Sequence, residues 1–197
     1  MIIYFRPMRI RDEHKVDAIH EATIKLVNEI GFVASSVAKI AKEANVSPAT
    51  IYIYYKNKED LLVSTYVNIK QKMSQSILTG FDSDLPLKDI LRRVWLNAFK
   101  YISIHQDYFN FTEQFANSPY TGLVNHEELE KHFQPVMSVF LKGVEDGKIK
   151  SVNPQLLTIF AFYPVMLLSN SRTCHGLELT DELKDIAFEM AWDAIKV

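Results

Sequence analysis

Between Ser36 and Lys58 the chain gathers side chains suited to holding phosphate and to lying against base edges. Ser36 and Ser47 stand where helices can begin, so their hydroxyls sit beside free backbone N–H groups, a pairing that suits phosphate oxygens. Tyr52, Tyr54 and Lys58 add donors that grip phosphate and fix register without reading sequence, and Lys39 is a further cation nearby. Thr50 and Tyr54 are four apart and are expected to face outward, with Pro48 and Ala49 beside them. Such a face of small residues with hydroxyl tips lets a helix backbone approach base edges, and its methyl groups can meet a thymine methyl. Ser36, Lys39, Ser47, Pro48, Ala49, Thr50, Tyr52, Tyr54 and Lys58 are therefore the candidate DNA-binding residues. Spacing alone leaves plain packing open as well, since tyrosines at helical spacing commonly fill cores.

Other chemistry finds little support. There is no Gly-rich phosphate loop, no Gly-x-Ser-x-Gly and no His-Glu-x-x-His. His126 and His132 are six apart and do not share a helix face as metal ligands would, and Cys174-His175 is a lone neighbouring pair. No catalytic residue, metal or cofactor is expected. The one cysteine cannot form an internal disulfide, which suits a reduced cytoplasmic protein. No apolar stretch reaches the roughly 18 residues that would span a bilayer. The opening Met1–Phe5 run is too short for a signal-peptide core, and Met8 is an alternative start.

The elements that must position these residues read as helices. Glycine and proline are scarce, at six and seven in 197 residues, and hydrophobic residues make up 48%, enough for a real core. Net charge is −2, yet residues 1–58 hold nine Lys/Arg against six Asp/Glu, a mildly basic head on an acidic body. A first helix through Ile19, Thr23, Leu26, Val27 and Ile30 stops at Gly31, a natural left-handed position. Ser35 and Ser36 offer an N-cap to a second with Val37, Ile40, Ala41 and Ala44 on one face; Asn45 tolerates the left-handed turn that follows. Ser47-Pro48 starts a short third helix, whose Ile51 and Tyr55 face inward. Further helices are expected from Asn57 to about Leu78, from Asp84-Leu-Pro86 to Ile102, over 107–117 and over 126–145. An almost wholly apolar segment, Pro154–Ser171, and a last helix capped by Thr180 complete the chain.

The stretch from Ile19 to Leu62 resembles the N-terminal domain of the TetR family. The residues that carry the likeness are Gly31-Phe32, Ser36-Val37-Ala38-Lys39-Ile40-Ala41, Asn45-Val46-Ser47-Pro48-Ala49-Thr50-Ile51-Tyr52-Ile53-Tyr54-Tyr55 and Lys58-Glu59-Asp60-Leu61. Asn45 and Ala49 stand where the family commonly has glycine, and Tyr54-Tyr55 replaces His-Phe. The departures bear on which operator is read more than on whether DNA is bound. The resemblance implies an all-α chain of about nine helices. A three-helix helix-turn-helix domain, residues 1–60, would precede a larger effector-binding and dimerisation bundle, residues 61–197. It implies a regulator, commonly a repressor, that binds a palindromic double-stranded operator as a homodimer through its last two helices. A dimer answers a physical need, since one short recognition helix gives little affinity.

The resemblance also implies a small-molecule effector. Aromatics concentrate mid-chain, and the candidate lining residues are Trp95, Phe99, His105, Phe109, Phe115, Phe133, Met137 and Met166, with Glu113, Gln114 and Arg172 as polar contacts. The rival reading is a dimeric helical interaction protein without an operator; the Thr50–Tyr52–Tyr54–Lys58 set speaks against it. Activator and repressor are not separable by sequence.

Overall fold

The computed structural model describes residues 12–170 and 177–197; Met8, Arg172, Cys174 and His175 lie outside them. The described residues form ten α-helices and one 3-10 turn, Pro119–Leu123. The helices are α1 (Glu13–Ala34), α2 (Val37–Glu43), α3 (Pro48–Tyr54), α4 (Lys58–Ile77), α5 (Leu87–Ile104), α6 (Gln106–Ala116), α7 (His126–Lys131), α8 (Gln134–Glu145), α9 (Pro154–Leu168) and α10 (Asp181–Ile195). Among them the β-type pairing is a single antiparallel bridge, Ile149 with Lys196. The chain divides within α4 into a unit ending at Thr65 and a unit beginning at Tyr66.

In the first unit, Asp12, Ser36 and Ser47 cap α1, α2 and α3 by accepting from backbone N–H groups three residues on. Gly31, at φ 75°, breaks the helical path near the end of α1, a backbone position that any side chain would strain. Asn45 takes the turn between α2 and α3 at φ 54°. Ile19, Ala22, Ile40, Ala41, Ile51, Tyr55 and Leu61 close over one small core. Ala41 is fully buried, and its carbonyl accepts from the Val46 N–H at 2.9 Å, which holds the turn shut.

The second unit is built around α5. Ile90, Leu91, Val94, Trp95, Ala98 and Ile102 repeat at helical spacing and all are buried against α8, α9 and α10. Trp95 donates its indole N–H to the Ala161 carbonyl at 3.0 Å, so its one polar atom is satisfied inside the core. Ion pairs Lys88–Glu189, at 2.7 Å, and Arg92–Asp185 tie α5 to α10 on the outside. Gly143 in α8 admits Ile149 and Leu87: a Cβ there would lie 2.6 Å from the Ile149 Cδ1 and 2.9 Å from the Leu87 Cδ2.

One expected helix is two. The run expected over 126–145 breaks at His132-Phe133 into α7 and α8, because Pro135 lacks an N–H and its ring clashes with the preceding turn. Proline is tolerated where it stands, in the first turn of α8.

Candidate nucleic-acid interface and ligand cavity

The short helix α3 is held at both ends. Ser47 Oγ accepts from the Thr50 N–H at 3.1 Å and shares a second bond, of 2.9 Å, with the Thr50 hydroxyl. At the other end Tyr55 is buried, and its hydroxyl meets His20 Nε2 of α1 at 2.9 Å. Ile51, 1% exposed, and Tyr55 thus fix the rotation of α3 about its axis. Ala49 and Ile53, four apart, then lie on the opposite side. Pro48 and Ala49 are exposed, and Tyr52 and Ile53 are each 56% exposed.

The outward face therefore differs from the one expected. Thr50 is half-buried with its hydroxyl engaged by Ser47, and Tyr54 is half-buried against the core and the Tyr55 ring. Both flank the face rather than form it. Ile53 was missed, although its spacing from Ala49 was the signal that could have found it. The two lysines of the set also have intramolecular partners: Lys39 Nζ donates to the Ala34 carbonyl at 3.0 Å, and Lys58 Nζ to the Phe32 carbonyl. They close off carbonyls at the end of α1, where a helix dipole favours cations. Ser36 is exposed at the start of α2, as are Lys42 in α2 and Lys56 after α3.

In the second unit an apolar cavity of about 180 Å³ lies among α4, α5, α8 and α9. Met73, Ile77, Ala98, Ile102, Phe140, Thr158, Phe162 and Val165 line it together with three expected residues, Phe133, Met137 and Met166. The other five do not reach it. Trp95 and Phe99 pack in the core beside it, with stacked rings 6.1 Å apart. Phe109 is a buried core residue, and Phe115 stacks on Tyr66 at 4.3 Å. His105 stacks on Tyr108 at the junction of α5 and α6. Glu113 and Gln114 do not line it either; Glu113 faces Lys70, whose ammonium burial pushes below the ordinary lysine range against the raising effect of that carboxylate. A more open cleft of about 440 Å³ lies between the 81–86 connection and α8.

Two family models match the chain. Residues 19–65 match bacterial regulatory proteins of the tetR family, and residues 86–196, more than half the chain, match a tetracyclin repressor-like C-terminal domain. A TetR family transcription regulator from Marinobacter aquaeolei VT8 is 35% identical, with 96% of this chain and 99% of that one covered and a TM-score of 0.85. The chain belongs to the TetR family. It is a DNA-binding transcriptional regulator of the helix-turn-helix type, and the all-α expectation holds.

Other TetR-family relatives extend the likeness. An HTH-type transcriptional regulator from Haemophilus influenzae is 23% identical over 191 residues, which cover 96% of this chain and all of that protein. The transcriptional regulator FadR from Bacillus subtilis, solved in complex with stearoyl-CoA, shares the fold at 22% identity and a TM-score of 0.74, covering 91% of this chain and 98% of its own. Among the described residues of this TetR-family chain, no group of three or more His, Cys, Asp or Glu is placed to hold a metal ion. No described helix is long and apolar enough to cross a membrane.

Proposed function

We propose that this TetR-family regulator is a cytoplasmic homodimeric repressor, released from a palindromic operator by a small apolar or aromatic effector. The unit ending at Thr65 carries the DNA contacts: Pro48, Ala49, Tyr52 and the flanking Thr50 and Tyr54 against bases and backbone, and Ser36, Ser47, Lys39 and Lys58 toward phosphate. The unit from Tyr66 onward senses the effector and dimerises through α9 and α10.

The observation that carries the regulatory part is the double role of α9. Its Phe162, Val165 and Met166 wall the 180 Å³ cavity. Its other side leaves Leu156, Ile159, Phe160 and Tyr163 about half exposed, and α10 adds Ile186 and Met190. Apolar residues at this spacing on two neighbouring helices are what a four-helix dimer seam needs. A guest that moves α9 therefore acts on the dimer seam and on the separation of the two heads, a shift between pre-existing arrangements.

The cavity limits the guest. A dry apolar cavity of about 150 Å³ takes a benzene-sized molecule, so 180 Å³ suits one aromatic ring or a short alkyl chain. The stearoyl-CoA held by the B. subtilis relative supports an acyl chain as the second chemistry. The test selects bound fragments from random DNA with the purified protein, then follows affinity for the winner against salt, with and without toluene or hexanoate. A palindrome bound more weakly as salt rises, and released by one of the two compounds, is the expected result. Failure to enrich any sequence at low salt overturns the reading in favour of an interaction protein.

A further inference from the structure

The seven residues of α3, Pro48-Ala49-Thr50-Ile51-Tyr52-Ile53-Tyr54, include no charged and no amide side chain. Reading a base by its hydrogen-bonding pattern relies on such groups: Arg or Lys on guanine, Asn or Gln on adenine, Glu or Asp on cytosine. The hydroxyls of α3 do not replace them. A hydroxyl both donates and accepts and so accommodates either kind of edge. The Thr50 hydroxyl is already bonded to Ser47. The face directly opposite the buried Ile51 and Tyr55 is instead a methyl, Ala49, and a branched alkyl group, Ile53, both exposed.

One base alone offers such a face a partner in the major groove: thymine, through its C5-methyl group. Guanine presents two acceptors there, adenine an acceptor and a donor, and cytosine an amino donor; an alkyl group pressed on these strips water without replacing its hydrogen bonds. The face thus selects for thymine and against the other bases by the same contact.

Resting on the operator-binding reading above, we infer that Ile53 and Ala49 are specificity-determining residues that read thymine C5-methyl groups, placing thymines in each half-site under the centre of α3. Lysines at the periphery, Lys42 and Lys56, serve the phosphates.

The test uses the full-length protein and the duplex selected from random DNA. Each thymine is replaced singly by uracil, which keeps base pairing and removes only the C5-methyl. Where that methyl meets Ile53 or Ala49, affinity falls about fourfold, the equivalent of one buried methylene. Ile53→Ala, at an exposed position that leaves folding intact, abolishes the difference between thymine and uracil at one of those sites. If uracil binds as well as thymine throughout, or if Ile53→Ala keeps the full difference, the inference fails while operator binding stands. If no sequence is enriched at all, operator binding itself fails and the inference with it.

Discussion

Two helices of this chain, α3 and α9, carry no charged residue, and both leave large apolar side chains in solvent. They differ in what surrounds them. Exposed Lys42 and Lys56 flank α3, and its own face mixes alkyl groups with a phenol. The exposed side of α9 has no charge of its own, and Ile186 and Met190 of α10, which packs on α9, are exposed as well. An uncharged strip between cations fits a polyanion whose groove floor must be read at close range. An uncharged helix that leaves a row of apolar side chains in solvent fits a copy of itself. Exposed apolar surface thus acquires its meaning from the charges around it.

Ile51→Ala removes the side chain that sets the rotation of α3 and should cost the first unit about 2–5 kcal/mol. Trp95 and Trp192 both belong to the second unit. Tryptophan fluorescence should therefore keep its melting temperature while operator binding is lost; a fluorescence melt that drops equally would show that the two units unfold as one. Next in size, Phe160→Glu places a carboxylate on the outer side of α9. Self-association should weaken about 100-fold or more in sedimentation, as expected when an anchor is lost from an interface centre. An unchanged dimer would locate the seam elsewhere.

Lys42→Ala should lower the salt slope of operator binding by about 1 and weaken all sequences alike. Lys39→Ala tests whether a lysine bonded to its own helix end still releases a counterion; a slope unchanged from the parent says that it does not. The least effect concerns Lys70, a half-buried lysine of the second unit. The folded state holds Lys70 below its ordinary value of 10.5, so between the two values the unfolded chain binds more protons and stability rises with pH. Lys70→Met should remove that rise in denaturant midpoints and stabilise the protein at neutral pH. Tyr66, raised by the same burial, acts oppositely above its ordinary value of 10.0, so the slope is read below that pH.

The head was legible because its signals are local. Gly31, Ser36, Asn45 and Ser47-Pro48 each act within a turn of themselves, and the inward pair Ile51–Tyr55 follows from spacing. The outward pair differs from the expectation because Thr50 and Tyr54 are also four apart; burial of the neighbouring pair leaves them on the flank and gives the far side to Ala49 and Ile53. The cavity was legible only in part. Aromatic composition finds volume to be packed, and Trp95, Phe99, Phe109 and Phe115 are that packing. The void is where side chains of four separate helices fall short of one another, and no single segment encodes it. The break between α7 and α8, in contrast, is written locally in Pro135, inside a longer apolar pattern that masks it.

Gly143 has a bearing on how this lineage can drift. The space beside it is filled by Ile149 and Leu87, and even an alanine would meet carbon atoms at 2.6 and 2.9 Å. The side chains at 87 and 149 therefore limit what position 143 can carry. A descendant that replaces the glycine must turn aside or shorten the ends of the Ile149 and Leu87 side chains.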